Sequence, residues 1–163
     1  MSLARRSQLS SDSIVLGMGL GVLSPIELAS RFEIYAEQYI LAIEVEAKLV
    51  VSMAKTGIYP VAIKYLAELS DCLSGLKSHD IQLDDSNLTT ITTQLAGMTE
   101  KTKQLSLALN KHDFAAIEDH MQFCAQTIRP LMDEVRQYAD ALEGEVANDL
   151  WPYPTYQEML FIK

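Results

Sequence analysis

The sequence predicts an all-α fold, and three observations support this prediction. Apolar residues recur every three or four positions over most of the chain from residue 24 onward. No stretch alternates apolar and polar residues over a useful length, and the turn dipeptides typical of hairpins are missing. The 163 residues, 48% of them hydrophobic, suffice for one domain with a real core. We expect an antiparallel up-and-down four-helix bundle, with long first and fourth helices and an extended aromatic and proline-rich C-terminal tail.

The first predicted helix follows Ser24 and Pro25, a typical N-cap and first-turn pair, and runs to about Thr56. We expect Gly57 to stop it and Pro60 to start the second helix. Two apolar seams on the first helix predict more than one packing partner. One seam is Leu28, Phe32, Tyr35, Tyr39 and Ala42; the other is Ala36, Ile40, Ile43, Ala47, Val50 and Ala54.

The second predicted helix is followed by a polar connection at residues 78–85, after which Ser86 caps the third helix. The spacing of the third helix is that of a heptad seam, with Gly97 as its one weak point. The core positions of the second helix are Val61, Tyr65, Leu69, Cys72 and Leu76, and those of the third are Leu88, Ile91, Leu95, Met98, Thr102, Leu105 and Leu109.

The fourth predicted helix is capped by Asp113 and contains Pro130. Because the apolar seam continues on both sides of this proline, we expect it to bend the helix near Gln126 rather than end it. The seam is Phe114, Ile117, Met121, Cys124, Ile128, Leu131, Val135, Tyr138, Leu142 and Val146.

The C-terminal tail after Asp149 does not fit a plain bundle. It contains the single tryptophan of the chain, and its two prolines with aromatic residues between them predict an extended segment. So much apolar surface at a terminus is expected to dock, either on its own bundle or on another domain or subunit. The candidate docking residues are Trp151, Tyr153, Tyr156 and Phe161.

The charge pattern argues against two classes of partner. Thirteen basic residues are scattered among 22 acidic ones, for a net charge of −9, which is a poor footprint for nucleic acid or anionic lipid. The longest uncharged stretch, residues 13–26, has 14 residues and three glycines, which is too short to span a bilayer. Residues 1–23 are interpreted as an expression leader, which Met1-Ser2-Leu3 resembles, followed by a flexible glycine-rich lead-in. A signal peptide is disfavoured because Asp12 interrupts its pattern and no small-residue cleavage site follows.

The two cysteines, Cys72 and Cys124, lie among apolar neighbours in a chain too large to need disulfide bonds. We interpret both as reduced core residues of a cytoplasmic protein.

The histidines do not form a known metal motif. A di-iron bundle needs Glu-x-x-His on two helices, and neither His79, His112 nor His120 is preceded by glutamate at that spacing. His120 and Cys124 share a helical face, but two ligands do not make a zinc site. A cofactor-binding bundle is therefore disfavoured, and the histidines are expected to be structural.

The remaining polar groups do not suggest a catalytic centre. Two carboxylate pairs, Glu44 with Glu46 and Glu118 with Asp119, have spacings that do not stack on one helical face, so they are expected to be solvated. The glycines at positions 17, 19 and 21 lack the context of a phosphate loop. The methionines on or beside the seams fill gaps in the core; they are Met53, Met98, Met121 and Met132.

Two segments carry a resemblance to a known family. Residues 23–35 (LSPIELASRFEIY), continued by 37–39 (EQY) and 43–47 (IEVEA), resemble the opening of the C-terminal region of type III glutamine synthetases. Residues 129–136 (RPLMDEVR) and 149–161 (DLWPYPTYQEMLF) are similar to the C-terminus of the same enzymes. The tail is the more specific match, and the resemblance covers roughly residues 22–163.

The resemblance implies an accessory domain of a glutamate–ammonia ligase. Such enzymes use ATP and a divalent metal in a catalytic domain that lies upstream, so no catalytic, cofactor or metal residue is carried over to this chain. The implied partners are the catalytic domain of the same polypeptide and neighbouring subunits of a homo-oligomeric ring. The implied layout is a bundle at 24–149 and a docking tail at 150–163. A free-standing helical protein-interaction module is the alternative.

Overall fold

The computed structural model describes residues 24–81, 83–154 and 156–160, and every regular element within them is helical, which confirms the all-α class. The glycine-rich lead-in, the side chain of Tyr156 and the whole of Phe161 lie outside the described residues. The α-helices are α1 (Pro25–Met53), α2 (Tyr59–Lys77), α3 (Ser86–Ala108), α4 (Ile117–Phe123), α5 (Arg129–Glu143) and α6 (Tyr156–Leu160), with π-helical segments π1 (Ala54–Ile58) and π2 (Cys124–Ile128).

Ser24 is the N-cap of α1 and Pro25 lies in its first turn, as predicted, and Glu27 completes a capping box that is not part of the prediction. The Ser24 main-chain N–H donates to the Glu27 carboxylate at 2.7 Å, and the Glu27 N–H donates to the Ser24 hydroxyl oxygen at 3.3 Å. Each residue therefore satisfies a main-chain donor that the helix end would otherwise leave free.

Gly57 does not stop the first helix, and that prediction is wrong. The backbone stays in the right-handed helical region at Met53, Ala54, Ile58 and Tyr59, so α1, π1 and α2 follow one another without a cap. Pro60 lacks an N–H and would collide with the carbonyl four residues before it in a regular helix. The wider π turn accommodates the proline, and the Tyr59 N–H donates to Ala54, five residues earlier.

Pro130 has the same effect on the last long helix. The π2 segment is centred on Gln126, where the sequence predicts an irregularity, and the Arg129 N–H donates to Cys124 five residues earlier. The two π segments stand at the same distance before their prolines. The residues six and two positions before each proline are buried: Ala54 and Ile58 in π1, Cys124 and Ile128 in π2.

The predicted caps of the later helices are displaced. Helix α3 has Asp85 as its N-cap, and Ser86 instead donates its hydroxyl to the Asp84 carboxylate at 2.7 Å. The fourth predicted helix begins at Ile117 after Ala116, so Asp113 does not cap it. The connection between α3 and α4 is longer than the sequence predicts, because the apolar seam of the fourth predicted helix starts at Phe114, whereas α4 begins at Ile117.

Helices α3 and α5 are antiparallel neighbours. Gly97 lies against Tyr138, and Lys101 pairs with Glu134, so residue numbers rise along one helix as they fall along the other. Whether all four predicted helices form an up-and-down bundle stays a prediction. The predicted seams of α3 and α5 supply much of the core, whose largest fully buried side chains are Ile91, Met98, Leu105, Ile128, Leu142, Val135 and Cys124.

The two seams predicted for α1 differ in burial. In the second seam Ala36, Ile40, Ile43 and Ala47 are buried, whereas Tyr35 of the first seam is exposed. Cys72 is also exposed, so its assignment to the core is wrong; it projects from the solvent side of α2. Cys124 is buried as predicted, and both thiols are free.

The tail is not extended over its whole length. Residues 151–154 are non-helical, and Tyr156–Leu160 then form the short helix α6. Among the described residues, no helix is long and apolar enough to cross a membrane.

Candidate docking groove

The tail folds back onto the helices of its own chain. Trp151 and Tyr153 are half-buried and pack against the hydrophobic core. The Tyr153 hydroxyl donates a hydrogen bond of 3.3 Å to the main-chain carbonyl oxygen of Met53, at the junction of α1 and π1. Two of the four predicted docking residues therefore contact the helical core of the same chain, and Tyr153 does so at the first π segment.

Gly57 provides the space for this contact. A Cβ atom at Gly57 would lie 2.7 Å from the ring carbon that carries the Tyr153 hydroxyl and nearer still to the hydroxyl oxygen, both much closer than van der Waals contact. The sequence predicts a helix stop at Gly57. In the structure, glycine is needed here for another reason, because the helix backbone and an aromatic ring approach each other closely. No pattern in the sequence links these two residues, which stand almost a hundred positions apart.

A groove of about 500 Å³ lies beside this contact, between α1 with π1, helix α5 and the tail. Its apolar lining comes from all three parts of the chain: Val50, Met53, Ala54, Ile58, Met132, Val135, Ala139, Trp151, Tyr153, Pro154 and Met159. A concave apolar surface of this size suits side chains of a partner segment or a small apolar ligand.

The rim of the groove is charged, and acidic groups outnumber basic ones by four to two. Arg136 and Asp140 are paired along α5 with a separation of 3.6 Å between Nε and Oδ2. The six charged lining residues are Glu46, Asp133, Asp140, Glu143, Arg129 and Arg136. An apolar floor with a charged rim is the usual anatomy of a protein–protein contact surface.

Glu44, His120 and Cys124, for which the sequence predicts no chemical role, lie together on another part of the fold. Nε2 of His120 lies 3.3 Å from the Glu44 carboxylate across the α1–α4 contact, and Lys48 approaches the same carboxylate at 3.5 Å. Glu44 is half-buried, so its interpretation as a solvated charge is wrong. The ring of Phe114 stacks on His120 with a centroid separation of 4.2 Å.

The Cys124 thiol beside this cluster is not activated. Burial raises its pKa above the ordinary value, and the negative charge of Glu44 adds to the increase. A raised pKa keeps the sulfur protonated and weakly nucleophilic at neutral pH. The cluster therefore has the chemistry of a structural contact between helices.

No set of three histidine, cysteine, aspartate or glutamate side chains within residues 24–81, 83–154 and 156–160 is arranged to hold a metal ion. His79 and His112 are exposed, at the end of α2 and in the connection between α3 and α4. Glu46 lines the groove, while Glu118 and Asp119 are exposed in the first turn of α4.

Sequence comparisons supply the family. Residues 2–77, which include all of α1, π1 and α2, match the family model described as the glutamine synthetase C-terminal domain. The chain is 30% identical over 165 residues to the type-3 glutamine synthetase of Dictyostelium discoideum, covering 94% of this chain and 22% of that protein. It is 26% identical over 161 residues to a glutamine synthetase of Bacteroides fragilis, covering 90% of this chain and 21% of that protein.

A third relative, a glutamine synthetase of Butyrivibrio fibrisolvens, is 28% identical over 161 residues, with coverage of 94% of this chain and 23% of the relative. The chain thus spans about a fifth of the length of these proteins. The similarity reaches beyond the two segments that carry the resemblance and includes most of the helical seams. The chain belongs to the family of glutamine synthetase C-terminal domains, in its type III form.

Proposed function

We propose that this chain is an accessory helical domain of an ATP-dependent glutamine synthetase, non-catalytic by itself, which supports domain packing or ring assembly of the ligase. One observation carries the proposal: nearly the whole chain is similar to about a fifth of each of three glutamine synthetases. The remaining four-fifths of such a polypeptide is where we place ATP, the divalent metal and the glutamate–ammonia ligase reaction.

The contacts of the described residues support a structural role. The ion pair between Lys101 and Glu134 and the contact between His120 and Glu44 each join two helices. The tail packs on the bundle through Trp151 and Tyr153, which form one wall of the groove. These arrangements fix the relative positions of helices, and we propose that they present the groove and the adjoining surface to other parts of the enzyme.

The proposed partners follow from this role. They are the catalytic domain of the same polypeptide and neighbouring subunits of a homo-oligomer, and neither nucleic acid nor a membrane is among them. The net charge of −9 argues against anionic partners. We propose a cytoplasmic location, which the two free thiols support because reducing compartments maintain such thiols.

A free-standing protein-interaction module is the second candidate, and the groove with its acidic rim favours it. The two proposals differ in where the partner resides. An accessory domain finds its partner in its own polypeptide or in another copy of the enzyme, whereas a free-standing module binds a different protein.

The experiment that tests the proposal removes residues 150–163 from the full-length enzyme. We expect a smaller assembly, or loss of solubility, because the tail wall of the groove is lost. A substitution at an exposed site away from the groove, His79→Ala, is the matched control and is expected to leave the assembly unchanged. An unchanged oligomer with full activity after removal of the tail would contradict the proposed role.

A further inference from the structure

Helix α1 carries an apolar stripe on its solvent side that no described residue covers. It consists of Ile34, Leu41, Val45 and Leu49, each at least half exposed, with Leu41 at 62%. At 100° per residue these four side chains fall within an arc of roughly 80°, and at 1.5 Å per residue they extend over about 22 Å. We call this set the outer stripe.

The outer stripe faces away from the core. Ile34 and the buried Ile43 are nine residues apart, which places them about 180° from each other around the helix. Ile40, Ala36 and Ala47 lie on the buried side with Ile43. A helix that is apolar on two opposite faces is typical of an element packed between two layers. In α1, helices of this chain supply one of those layers.

The flanks of the outer stripe are mainly acidic. Glu37 and Glu46 are exposed on opposite flanks, and Glu44 lies beside Glu37, where Lys48 and His120 pair with it. A partner that fits such a surface offers apolar side chains surrounded by lysine or arginine. Complementary charge at the edge of a contact fixes its register and excludes acidic surfaces.

The family match locates the source of this partner. The matched residues 2–77 contain the whole of α1 and hence the outer stripe. The relatives are between four and five times longer than the aligned part of this chain, so their polypeptides contain the surface area that a second layer requires. If this chain is one domain of such a polypeptide, as proposed above, the remainder is a partner of adequate size in a one-to-one ratio.

We propose that the outer stripe docks against an apolar surface rimmed by lysine and arginine on the remainder of the glutamine synthetase polypeptide. This inference rests on the proposed function, because it needs the chain to be one domain of that enzyme. To the proposed function it adds two points: the outer stripe is the surface of this chain that makes the contact, and an apolar surface with a basic rim is the surface that receives it.

The test substitutes Leu41 in the full-length enzyme. Leu41→Lys places a positive charge inside the contact, where the basic rim surrounds it, Leu41→Glu places a negative charge at the same position, and Leu107→Lys is the matched control. Leu107 is 63% exposed and lies on α3, away from the outer stripe. We expect Leu41→Lys to lower the thermal midpoint of the assembled enzyme more than Leu41→Glu does, and Leu107→Lys to leave it unchanged.

A binding measurement in trans separates this inference from the proposed function. The 163-residue chain is titrated into an enzyme polypeptide that ends before it, and association is followed by sedimentation. We expect Leu41→Lys to weaken binding at least tenfold and Leu107→Lys to have no effect. The inference is overturned if the Leu41→Lys chain binds as tightly as the wild-type chain and the full-length variants keep the wild-type thermal midpoint. The proposed function would then remain intact.

Two other outcomes have distinct meanings. If Leu41→Lys abolishes self-association of the chain while neither form binds the rest of the enzyme, the stripe receives a second copy, and the inference is wrong. If the enzyme keeps its number of subunits and its activity when the whole domain is removed, the proposed function fails and the inference fails with it.

Discussion

The hydroxyl of Tyr153 donates a 3.3 Å hydrogen bond to the carbonyl oxygen of Met53, and its ring stands over Gly57. This contact joins the C-terminal tail to the point where the first long helix changes from α to π geometry. Pro60 requires the wider π turn, Gly57 has no side chain and so leaves the backbone of this turn open to contact, and the Tyr153 ring packs against it. The tail is therefore part of the packing of the domain.

Substitution of Gly57 tests this contact. In Gly57→Ala the new methyl group overlaps the Tyr153 hydroxyl and ring, so the tail must move or the helix must shift. Overpacking of this kind costs about 1–3 kcal/mol of unfolding free energy. Urea unfolding measures the loss, and the fluorescence of Trp151, the single tryptophan, reports displacement of the tail.

Gly75→Ala is the control for this substitution. Among the described residues, no atom beyond its two chain neighbours and the adjoining helix backbone lies within 4 Å of a Cβ built at Gly75 on α2, so alanine is expected to stabilise the helix by up to about 1 kcal/mol. If both variants change stability equally and in the same direction, Tyr153 does not occupy the space over Gly57.

Gly97 is a second site of close approach, between α3 and α5. A Cβ there would overlap the ring of Tyr138, so Gly97→Ala is expected to destabilise the protein by about 1–3 kcal/mol, despite the better helix propensity of alanine. The same substitution in a Tyr138→Leu background should cost less, because the ring is gone. Additive effects of the two changes would show that the ring and the glycine do not meet.

The capping box at Ser24 and Glu27 makes the start of α1 sensitive to acid. Hydrogen bonds from the Ser24 main chain and side chain hold the pKa of the Glu27 carboxyl below its ordinary value of 4.5. The stabilisation is therefore complete above pH 4.5 and is lost as the pH falls through the lowered value. Titration of the Glu27 carboxyl carbon by NMR measures this pKa; a value of 4.5 or higher would contradict the capping box.

The two thiols are expected to react at very different rates. Cys72 is exposed on α2, whereas Cys124 is buried and burial raises its pKa. A disulfide reagent at neutral pH should modify one thiol per chain quickly and the second only when the protein unfolds. Cys72→Ser removes the fast phase. Equal rates for both thiols in the native protein would mean that the π2 segment opens easily.

The sequence predicts the parts of the fold that depend on periodic burial. The seam from Ile91 to Leu105 is buried as its spacing indicates, since a three-and-four repeat defines one face of a helix. The capping box at Ser24 is equally local and equally predictable. The first π segment cannot be predicted in this way, because a glycine at 57 and a proline at 60 are compatible with a helix stop as well as with a widened helical turn.

The sequence predicts two residues that line the groove, but it does not predict the groove. Trp151 and Tyr153 stand out by composition and line it, but the role of Gly57 depends on a residue far along the chain. The outer stripe is not predictable from the sequence, because two other apolar seams on α1 already account for the hydrophobicity of this helix. Only the structure distinguishes the face that is packed from the face that is exposed.

The most direct test of the central claim is the mass and activity of the full-length enzyme with and without residues 24–163. Mass photometry gives the size of the assembly, and glutamine formation from glutamate, ammonia, ATP and magnesium gives the activity of the same sample. The account predicts that the shortened polypeptide forms a smaller or unstable assembly and that the isolated 163-residue chain makes no glutamine. An unchanged assembly with full activity, or glutamine formation by the isolated chain, would contradict it.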